Sequence, residues 1–359
     1  MSLSHPPLVR AENFARAHGL QIPILLAPMA GACPPSLSIA VANAGGLGSC
    51  GALLMKPEAI KAWASEVRAG TNGGFQLNLW IPDPPPTRDA AAEARVHAFL
   101  AKWGPEVAPE AGDVSPLDFS AQCEAMLEVA PSIISSIMGL YPPEFVERMK
   151  AKRIRWFANV TTIKEAMAAE AAGADAVVAQ GMEAGGHRGA FDASGAEAAM
   201  VGLFALLPAI VDAVKVPVIA AGGIADSRGV AAALLLGASA VQVGTGFLRS
   251  PEAKLPKAWA DALARAAPED TLVTRAFSGR AGRSLATAYA RAAAHPDAPR
   301  PAPYPVQRGL TQAMREAAVK SEDIATMQTW AGQSAARAPA KPAAEIARQL
   351  WEGARAMFA

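Results

Sequence analysis

Short apolar runs alternate along this chain with longer segments in which apolar and polar positions recur at helical spacing. The run VPVIAA at residues 216–221 is apolar without interruption, which is typical of a parallel strand buried on both faces. Runs of this kind occur near residues 22–28, 46–49, 75–80, 132–137, 154–159, 175–180, 216–221 and 240–243. Eight such runs, each separated from the next by helix-like sequence, predict an α/β fold of the (β/α)8 or TIM-barrel type.

Helical segments are expected after most of these runs. The spacing of apolar residues predicts helices over residues 57–69, 142–150, 163–172, 197–213 and 226–236. A GxGxxG sequence is missing from the first strand-to-helix turn, which disfavours a doubly wound dinucleotide-binding sheet.

Two segments depart from the simple repeat. Residues 81–116 follow the third run, contain one predicted helix between proline-rich turns, and are long for a connection in a compact domain. We expect this insertion to form a lid, with a decorative surface insertion as the alternative. Residues 277–359 extend past the eighth run and are expected to form a partly helical C-terminal extension.

The composition excludes several classes of function. Among 359 residues, 52% are hydrophobic and 18% charged, with a formal net charge of +1. A nucleic-acid or anionic-membrane surface would need a strong basic excess, so neither partner is expected. No apolar run reaches membrane-spanning length unbroken, and the first residues do not resemble a signal peptide, so a cytoplasmic location is expected. Three scattered cysteines and the lack of CxxC or HExxH spacing predict no metal site.

Glycine-rich turns follow the seventh and eighth runs. Gly222 and Gly223 begin the first of these turns, and Gly244 and Thr245 lie in the second. In TIM barrels the loops after strands seven and eight commonly bind a phosphate through backbone N–H groups. One glycine pair alone would indicate only a tight turn, but two such turns on adjacent strands predict a phosphate site.

The sixth run leads into the most distinctive sequence of the chain. Gln180 ends the run, and Gly185 and Gly186 directly precede His187. The glycines allow the backbone to lie close to a flat ligand, and an imidazole can accept or donate a proton near neutral pH. We therefore predict that His187 is catalytic. The remaining histidines, in polar or loop sequence, are predicted to be surface residues: His5, His18, His97 and His295.

The motifs together resemble the nitronate monooxygenase, or 2-nitropropane dioxygenase, family. The resemblance rests on NAGGLGSCG (43–51), GMEAGGHRG (181–189), PVIAAGGIADSRG (217–229) and VQVGTGFL (241–248). Similarity to class I members of that family lies in PILLAPMAG (23–31), GFQLNLW (74–80), FSGRAGRSL (277–285), APYPVQ (302–307) and WAGQ (330–333).

The resemblance implies a flavoprotein that holds FMN noncovalently. Residues 1–276 would form the FMN-binding barrel, and residues 277–359 would pack on it and contribute to the flavin and substrate site. Flavin contacts are implied for Ala27, Pro28, Met29 and Ala30 along the isoalloxazine edge, Asn78 and Gln180 by hydrogen bonds, Gly185 and Gly186 by close approach, Gly222, Gly223, Gly244 and Thr245 at the phosphate, and Gln333 from the extension. His187 would be the catalytic residue beside the substrate.

The implied reaction is the oxidation of an alkyl nitronate, propionate 3-nitronate above all, by the flavin and O2 to a carbonyl compound and nitrite. Tyr304 and Tyr141 are candidates to bind a substrate carboxylate, with packing in a loop as the equal alternative. Arg188 and Arg280 are weaker anion candidates. Cys33 and Cys50 are expected to be small buried residues rather than redox thiols.

Other functions stay open on the sequence. A flavin-dependent enoyl-ACP reductase shares the AGG and EAGGH motifs, and an NAD(P)H:quinone reductase is a weaker option of the same barrel superfamily. QLNLW, APYPVQ and the long insertion favour the nitronate monooxygenases. A flavin-binding module without catalysis would not need His187. The oligomeric state, monomer or homodimer, does not follow from the sequence.

Overall fold

The computed structural model describes residues 5–359 and forms a parallel barrel surrounded by helices. The barrel strands are β1 (Ile24–Leu26), β2 (Gly48–Gly51), β3 (Phe75–Trp80), β4 (Ile133–Ile137), β5 (Arg155–Val160), β6 (Ala176–Gln180), β8 (Val218–Ala221) and β9 (Ala240–Val243). A small sheet contains β7 (Gly186–His187), β10 (Thr271–Thr274) and β11 (Gly282–Leu285).

The helices mostly follow the strands in alternation. They are α1 (Pro6–Ala17), α2 (Pro35–Asn43), α3 (Pro57–Gly70), α4 (Ala90–Leu100), α5 (Phe119–Val129), α6 (Pro143–Ala151), α7 (Ile163–Ala171), α8 (Leu203–Ala213), α9 (Ser227–Leu235), α10 (Lys257–Arg265), α11 (Ala288–Ala293), α12 (Val306–Leu310), α13 (Gln312–Ser321) and α14 (Ala343–Ala356). Over the described residues, no helix combines the length and the apolar character needed to cross a membrane.

The eight barrel strands are all parallel and run in the order β1-β9-β8-β6-β5-β4-β3-β2. A parallel bridge between Leu25 and Leu47 joins β1 to the start of β2 and brings the two ends of the sheet together. The predicted TIM barrel is therefore confirmed, and all eight apolar runs contain a strand.

The barrel interior is filled by side chains from alternating strand positions. Leu25, Phe157, Val178 and Ile219 belong to one buried cluster that also contains Phe14 from α1. Phe14 packs on Phe157 with ring centroids 6.1 Å apart, so α1 covers the N-terminal end of the barrel. Ligand access is thereby left to the opposite end, where the strands end at their carboxyl termini.

The helix expected over residues 197–213 is shorter than predicted. It begins at Leu203, because Gly202 adopts an extended conformation with φ −66° and ψ 146°. The carboxylate of Glu183 accepts hydrogen bonds from the N–H of Leu203 at 2.9 and 3.0 Å and so caps the helix from a distant loop. Helical spacing before residue 203 was thus not sufficient to form a helix.

The predicted surface location of four histidines holds only in part. His5 and His295 are exposed and His97 is half-buried. His18 stacks on Phe14 with ring centroids 4.3 Å apart, and burial lowers its pKa. His18 is therefore part of the packing beneath the barrel rather than a free surface residue.

The insertion and the C-terminal extension lie together over one side of the barrel mouth. Residues 81–116 contain α4, as expected, and Val96 and Leu100 of that helix share a buried cluster with Phe277, Val306 and Leu310. The predicted domain boundary after residue 276 falls between β10 and β11, which pair with each other. The extension is thus joined to the barrel loops by a sheet.

Candidate active site

A cavity of about 600 Å³ opens at the carboxyl ends of the barrel strands, and we call it the central cavity. Its walls come from the loop after β1, the ends of β3 to β6, the glycine turns after β8 and β9, and helices α12 and α13. The volume lies in the range of small-molecule sites. The cavity occupies the end of the barrel at which TIM-barrel enzymes carry their active sites.

His187 enters this cavity from β7, which pairs with β11 in the small sheet. The imidazole lies between two indoles, with ring centroids 4.7 Å from Trp80 and 4.7 Å from Trp330. Its Nε2 atom is 2.8 Å from the hydroxyl oxygen of Ser278. Aromatic contacts on two sides and this hydrogen bond hold the ring in one orientation at the cavity wall.

The imidazole is neutral at physiological pH. Burial, and then the positive charges of Arg280 and Arg308, lower the pKa of His187 to about 3. All three effects disfavour the protonated ring. A neutral imidazole offers one N–H donor and one nitrogen acceptor, so it can donate a hydrogen bond or receive a proton.

Gln180 fixes the loop that carries His187. Its amide nitrogen donates to the carbonyl oxygen of His187 at 3.0 Å, and its amide oxygen accepts from the N–H of Gly189 at 2.8 Å. Arg188 donates to the backbone oxygen of Gln180 at 2.6 Å. Gln180 also lines the cavity, but its side chain holds the loop rather than pointing free groups at a ligand.

The glycine turns after β8 and β9 line one side of the cavity, as predicted. Gly222 and Gly223 have φ values of +109° and +69°, which residues with a side chain rarely adopt. Asp226 caps α9 by accepting from the N–H of Arg228 at 3.0 Å. Since Asp226 occupies that helix end, an anion here would be bound by the N–H groups of the turns.

The turn after β9 is tied to the C-terminal extension. The hydroxyl oxygen of Thr245 accepts a hydrogen bond of 3.0 Å from the N–H of Gly332. Both residues line the cavity, together with Gly244. The hydroxyl hydrogen of Thr245 is still available to a ligand.

The loop after β1 lies next to the turn after β9, because β1 pairs with β9 in the barrel. Ala27, Pro28, Met29 and Ala30 all line the cavity, as expected. Asn78 of β3 also lines the cavity, and its amide nitrogen donates to the hydroxyl of Ser135 at 3.0 Å. Its amide oxygen has no hydrogen-bond partner among the described residues.

The character of the wall fits a flavin. Most of the lining surface is apolar, and glycines let the backbone come close, as a large planar ring requires. Three cavity-lining side chains carry buried nitrogen donors without a partner over residues 5–359: Asn159 Nδ2, Trp259 Nε1 and Gln328 Nε2. These nitrogens are themselves closed off from the cavity, so the fit to a flavin rests on the apolar wall and its glycines.

Comparison with known proteins identifies the family. The profile of the nitronate monooxygenase family matches residues 12–353. The chain belongs to the nitronate monooxygenase family. Among its relatives, a nitronate monooxygenase of Paraburkholderia phytofirmans is 40% identical over 338 residues, covering 92% of each chain. That of Pseudomonas aeruginosa is 40% identical over 349 residues, covering 96% of this chain and 99% of the relative.

Solved structures agree with this membership. The nitroalkane oxidase of Streptomyces ansochromogenes superposes with a TM-score of 0.88 at 35% identity, covering 96% of this chain and all 100% of the other. FabK of Thermotoga maritima superposes with a TM-score of 0.74 at 29% identity, covering 97% of this chain and 96% of the other. An enoyl reductase domain from Bacillus amyloliquefaciens, at 13% identity and a TM-score of 0.66, shares the fold alone. The predicted family, fold and flavin-dependent oxidoreductase class are confirmed.

Within this member of the nitronate monooxygenase family, several predicted residues lie outside the cavity. Tyr141 is buried and donates from its hydroxyl to the backbone oxygen of Ser135 at 3.0 Å, so the expectation of a substrate contact is wrong. Gln333 does not line the cavity, although its neighbours Gly332 and Ser334 do. Its backbone N–H donates to the backbone oxygen of Glu183 at 3.0 Å, which ties this segment of the extension to the loop before His187.

Tyr304 occupies an intermediate position. Its ring lies 5.2 Å from that of Trp80, which in turn contacts His187. The tyrosine is thus one aromatic layer behind the cavity wall and supports Trp80.

The weaker anion candidates and the cysteines are all buried. Arg280 is almost fully buried and forms two 3.0 Å hydrogen bonds to the carboxylate of Asp83. Arg188 is buried and does not line the cavity, and only its Nη1 atom has a hydrogen-bond partner among the described residues. Burial raises the pKa of Cys33 to about 12, and Cys50 is buried as well, in agreement with the small packing role expected of both.

Sequence reasoning missed part of the nitronate monooxygenase site. Trp80 and Trp330 line the cavity and lie in the motifs GFQLNLW and WAGQ, but neither was singled out as a site residue, and Arg308 and Arg315 lie in helices that gave no site signal. Asn159 could have been found, because it is a polar residue near the carboxyl end of a predicted barrel strand, where active-site residues occur.

Proposed function

We propose that this chain oxidises alkyl nitronates with FMN as its flavin and O2 as its oxidant, releasing a carbonyl compound and nitrite. Membership of the family supports the reaction, and propionate 3-nitronate is the first substrate to test. The observation that carries the proposal is a neutral histidine, in contact with two indoles, at the wall of a cavity that glycine turns also line.

FMN would be held along the walls described above. Gly222, Gly223, Gly244 and Thr245 would bind the phosphate, because two turns direct N–H groups and a hydroxyl to one side of the cavity. Residues 27–30 would contact the edge of the isoalloxazine. When bound, the flavin accepts electrons from the nitronate and returns them to O2.

The chain itself binds and orients the substrate. His187 would donate a hydrogen bond to an oxygen of the nitronate from the ring nitrogen that carries its proton. Since its pKa is about 3, the imidazole is uncharged at neutral pH and donates from a single N–H. A pKa of about 3 makes the same ring a weak base, so this site favours a pre-formed nitronate over a neutral nitroalkane, from which a proton would have to be removed.

Trp80 and Trp330 exclude water from the reacting atoms. Both rings are in contact with the imidazole and both line the cavity. A dry surface around His187 strengthens its hydrogen bond to an anionic group, because the local dielectric constant is low.

The test is oxygen uptake by the purified yellow protein given propionate 3-nitronate, with NADPH alone run in parallel. We expect rapid uptake with stoichiometric nitrite and little response to NADPH. Release of the flavin by denaturation, followed by chromatography against FMN and FAD, identifies the cofactor. No turnover of nitronate together with prompt bleaching of the flavin by NADPH would instead assign the chain to the reductases.

A further inference from the structure

Ser278 is a fully buried serine whose hydroxyl contacts the ring of His187. It lies between β10 and β11, at the start of the C-terminal extension. Its Oγ atom is 2.8 Å from Nε2 of the imidazole. Ser278 does not line the central cavity, so it can influence a ligand there only through His187.

The turn that carries Ser278 is fixed on both sides. The side chain of Arg280 donates to the backbone oxygen of Ala190 at 2.8 Å, which ties the turn to the segment that follows His187. Gly279 has a φ of +89°, and a Cβ atom there would overlap the backbone nitrogen of Tyr304. The hydroxyl of Ser278 therefore has a fixed position relative to the imidazole.

The distances indicate which atom donates in the hydrogen bond between Ser278 and His187. The hydroxyl has one hydrogen and two acceptors among residues 5–359: Nε2 of His187 at 2.8 Å and the backbone oxygen of Arg280 at 3.3 Å. An O–H group usually takes an oxygen acceptor at about 2.5–3.0 Å, so the contact with Arg280 is long. The hydrogen is therefore assigned to the contact with Nε2, and Oγ can still accept from the N–H of Arg280 at 3.4 Å.

A hydroxyl that donates to Nε2 fixes the tautomer of the imidazole. The neutral ring carries one proton, and Nε2 can accept only if the proton is on Nδ1. Nδ1 has no hydrogen-bond partner among the described residues. Since His187 lines the cavity, its Nδ1–H group is left to donate to a ligand there.

The two indoles beside His187 do not compete with Ser278 for this role. Trp80 meets the imidazole with an angle of 80° between the rings, and Trp330 meets it at 58°. The polar group of an indole is an N–H donor, which cannot accept a proton from the imidazole. Within residues 5–359, Ser278 is thus the one side chain that forms a hydrogen bond with this ring.

We propose that Ser278 is a positioning residue that holds His187 in its Nδ1–H form, so that the ring presents a donor to the substrate. The inference rests on the proposed function and deepens it: an oxygen of the nitronate would accept from Nδ1–H. The lone pair of Nε2 is occupied by Ser278, so the imidazole offers no acceptor to the cavity. The ring can therefore bind an anion but is not placed to take a proton from a neutral nitroalkane.

Proton–nitrogen correlation NMR of the flavin-loaded protein, with nitrogen-labelled histidine, tests this directly because it distinguishes the two tautomers. His187→Asn identifies the signals of residue 187 by their loss. We expect His187 of the unmodified protein to be in the Nδ1–H form. In Ser278→Ala, Nε2 loses its donor, so signals of the Nε2–H form should appear.

Oxygen uptake with propyl nitronate measures the consequence for turnover. Ser278→Ala should lower kcat/KM by roughly 3- to 10-fold, the effect of losing one neutral hydrogen bond. Ser278→Cys, whose S–H group is a weaker donor, should give a value between those of Ser278→Ala and the unmodified protein.

Ser38→Ala is the matched control. Ser38 is also fully buried, its hydroxyl donates to the backbone oxygen of Ser49 at 2.7 Å, and neither residue lines the cavity. The variant should change neither the signals of His187 nor kcat/KM.

The outcomes separate this inference from the proposed function. The Nε2–H form in the unmodified protein overturns it. It is also overturned if His187 keeps only the Nδ1–H form in Ser278→Ala, even with reduced turnover, since Ser278 would then merely pack against the ring. A changed tautomer with unchanged kcat/KM overturns the contact between Nδ1–H and the substrate. If the unmodified protein oxidises no nitronate, the proposed function fails and the spectra still decide the tautomer. If Ser278→Ala does not fold, Ser278→Cys and the unmodified protein decide it.

Discussion

The charge state of His187 is set by its surroundings rather than by its sequence neighbours. Burial and two guanidiniums lower its pKa to about 3, far below that of a free imidazole. As the pH falls from about 9 to about 6, the folded protein therefore adds no proton to this ring. The histidine is equally able to donate its hydrogen bond throughout that interval.

We predict that kcat/KM for a pre-formed nitronate shows no ionisation of His187 between about pH 6 and about pH 9. The measurement is a stopped-flow pH profile with propyl nitronate, started from alkaline stock so that the substrate enters as the anion. His187→Asn, which retains a donor, should lower kcat/KM without changing the shape of the profile. An inflection near the ordinary histidine pKa that disappears in His187→Asn would contradict a neutral, buried imidazole.

The sequence could predict His187 but not the side chains around it. The glycines before His187 and its place after a strand are local features, readable within ten residues. Trp330 and Arg308 come from a region more than a hundred residues further on, and only the folding of the extension onto the barrel brings them to the histidine. Tyr141 shows the opposite error, since its place after β4 suggested the cavity and its hydroxyl bonds to the backbone of that strand instead.

Among the elements, strands buried on both faces were predictable and small paired segments were not. The barrel strands are apolar runs because helices cover one face and the barrel interior the other. β7 has two residues, Gly186–His187, and exists only because β11 pairs with it. No periodicity can reveal a strand of that length, so the sheet that positions the catalytic candidate was not predicted.

The loop that carries His187 is clamped by the C-terminal extension at Gly185. A Cβ atom at this position would lie 2.5 Å from the nitrogen of Gly332 and 2.6 Å from the carbonyl carbon of Ala331. Gly332 is also the residue that donates to Thr245, in the turn predicted to bind the flavin phosphate. One close backbone contact thus connects the histidine loop to the cofactor side of the cavity.

We predict that Gly185→Ala weakens flavin retention and lowers nitronate turnover. The added methyl group would force two backbone segments apart, at a cost of about 1–3 kcal/mol in the free energy of unfolding. Flavin content after gel filtration and urea denaturation of the purified protein measure the two effects. Gly229→Ala is the control. Gly229 lies inside α9, and a Cβ atom there would make an ordinary 3.4 Å contact with the side chain of Ile224. Equal flavin content in both variants would show that Gly185 is not a clamp.

At the scale of the whole molecule, the insertion (residues 81–116) and the C-terminal extension (residues 277–359) pack against each other. Their buried cluster joins α4 to α12, and an ion pair between Asp83 and Arg280 links the start of the insertion to the loop between β10 and β11. Among the described residues that line the central cavity, none comes from 81–116. Residues 81–116 therefore pack on the extension rather than line the cavity, and their function as a lid stays a prediction.

We predict that Asp83→Asn destabilises the protein although Asp83 touches no substrate. The side chain of Arg280 is only 3% exposed, and the substitution leaves its charge without a carboxylate. Removing one partner of a buried pair costs about 3–5 kcal/mol, and the partial exposure of Asp83 should bring the loss in unfolding free energy to about 2–3 kcal/mol.

The control is Asp113→Asn, which removes a carboxylate from an exposed ion pair with Arg88 and should cost less than about 1 kcal/mol. Urea denaturation of both variants decides between a structural connection and a surface pair. If the two losses are equal, the ion pair does not bind the insertion to the extension, and the apolar contacts of α4 with α12 must hold the two together alone.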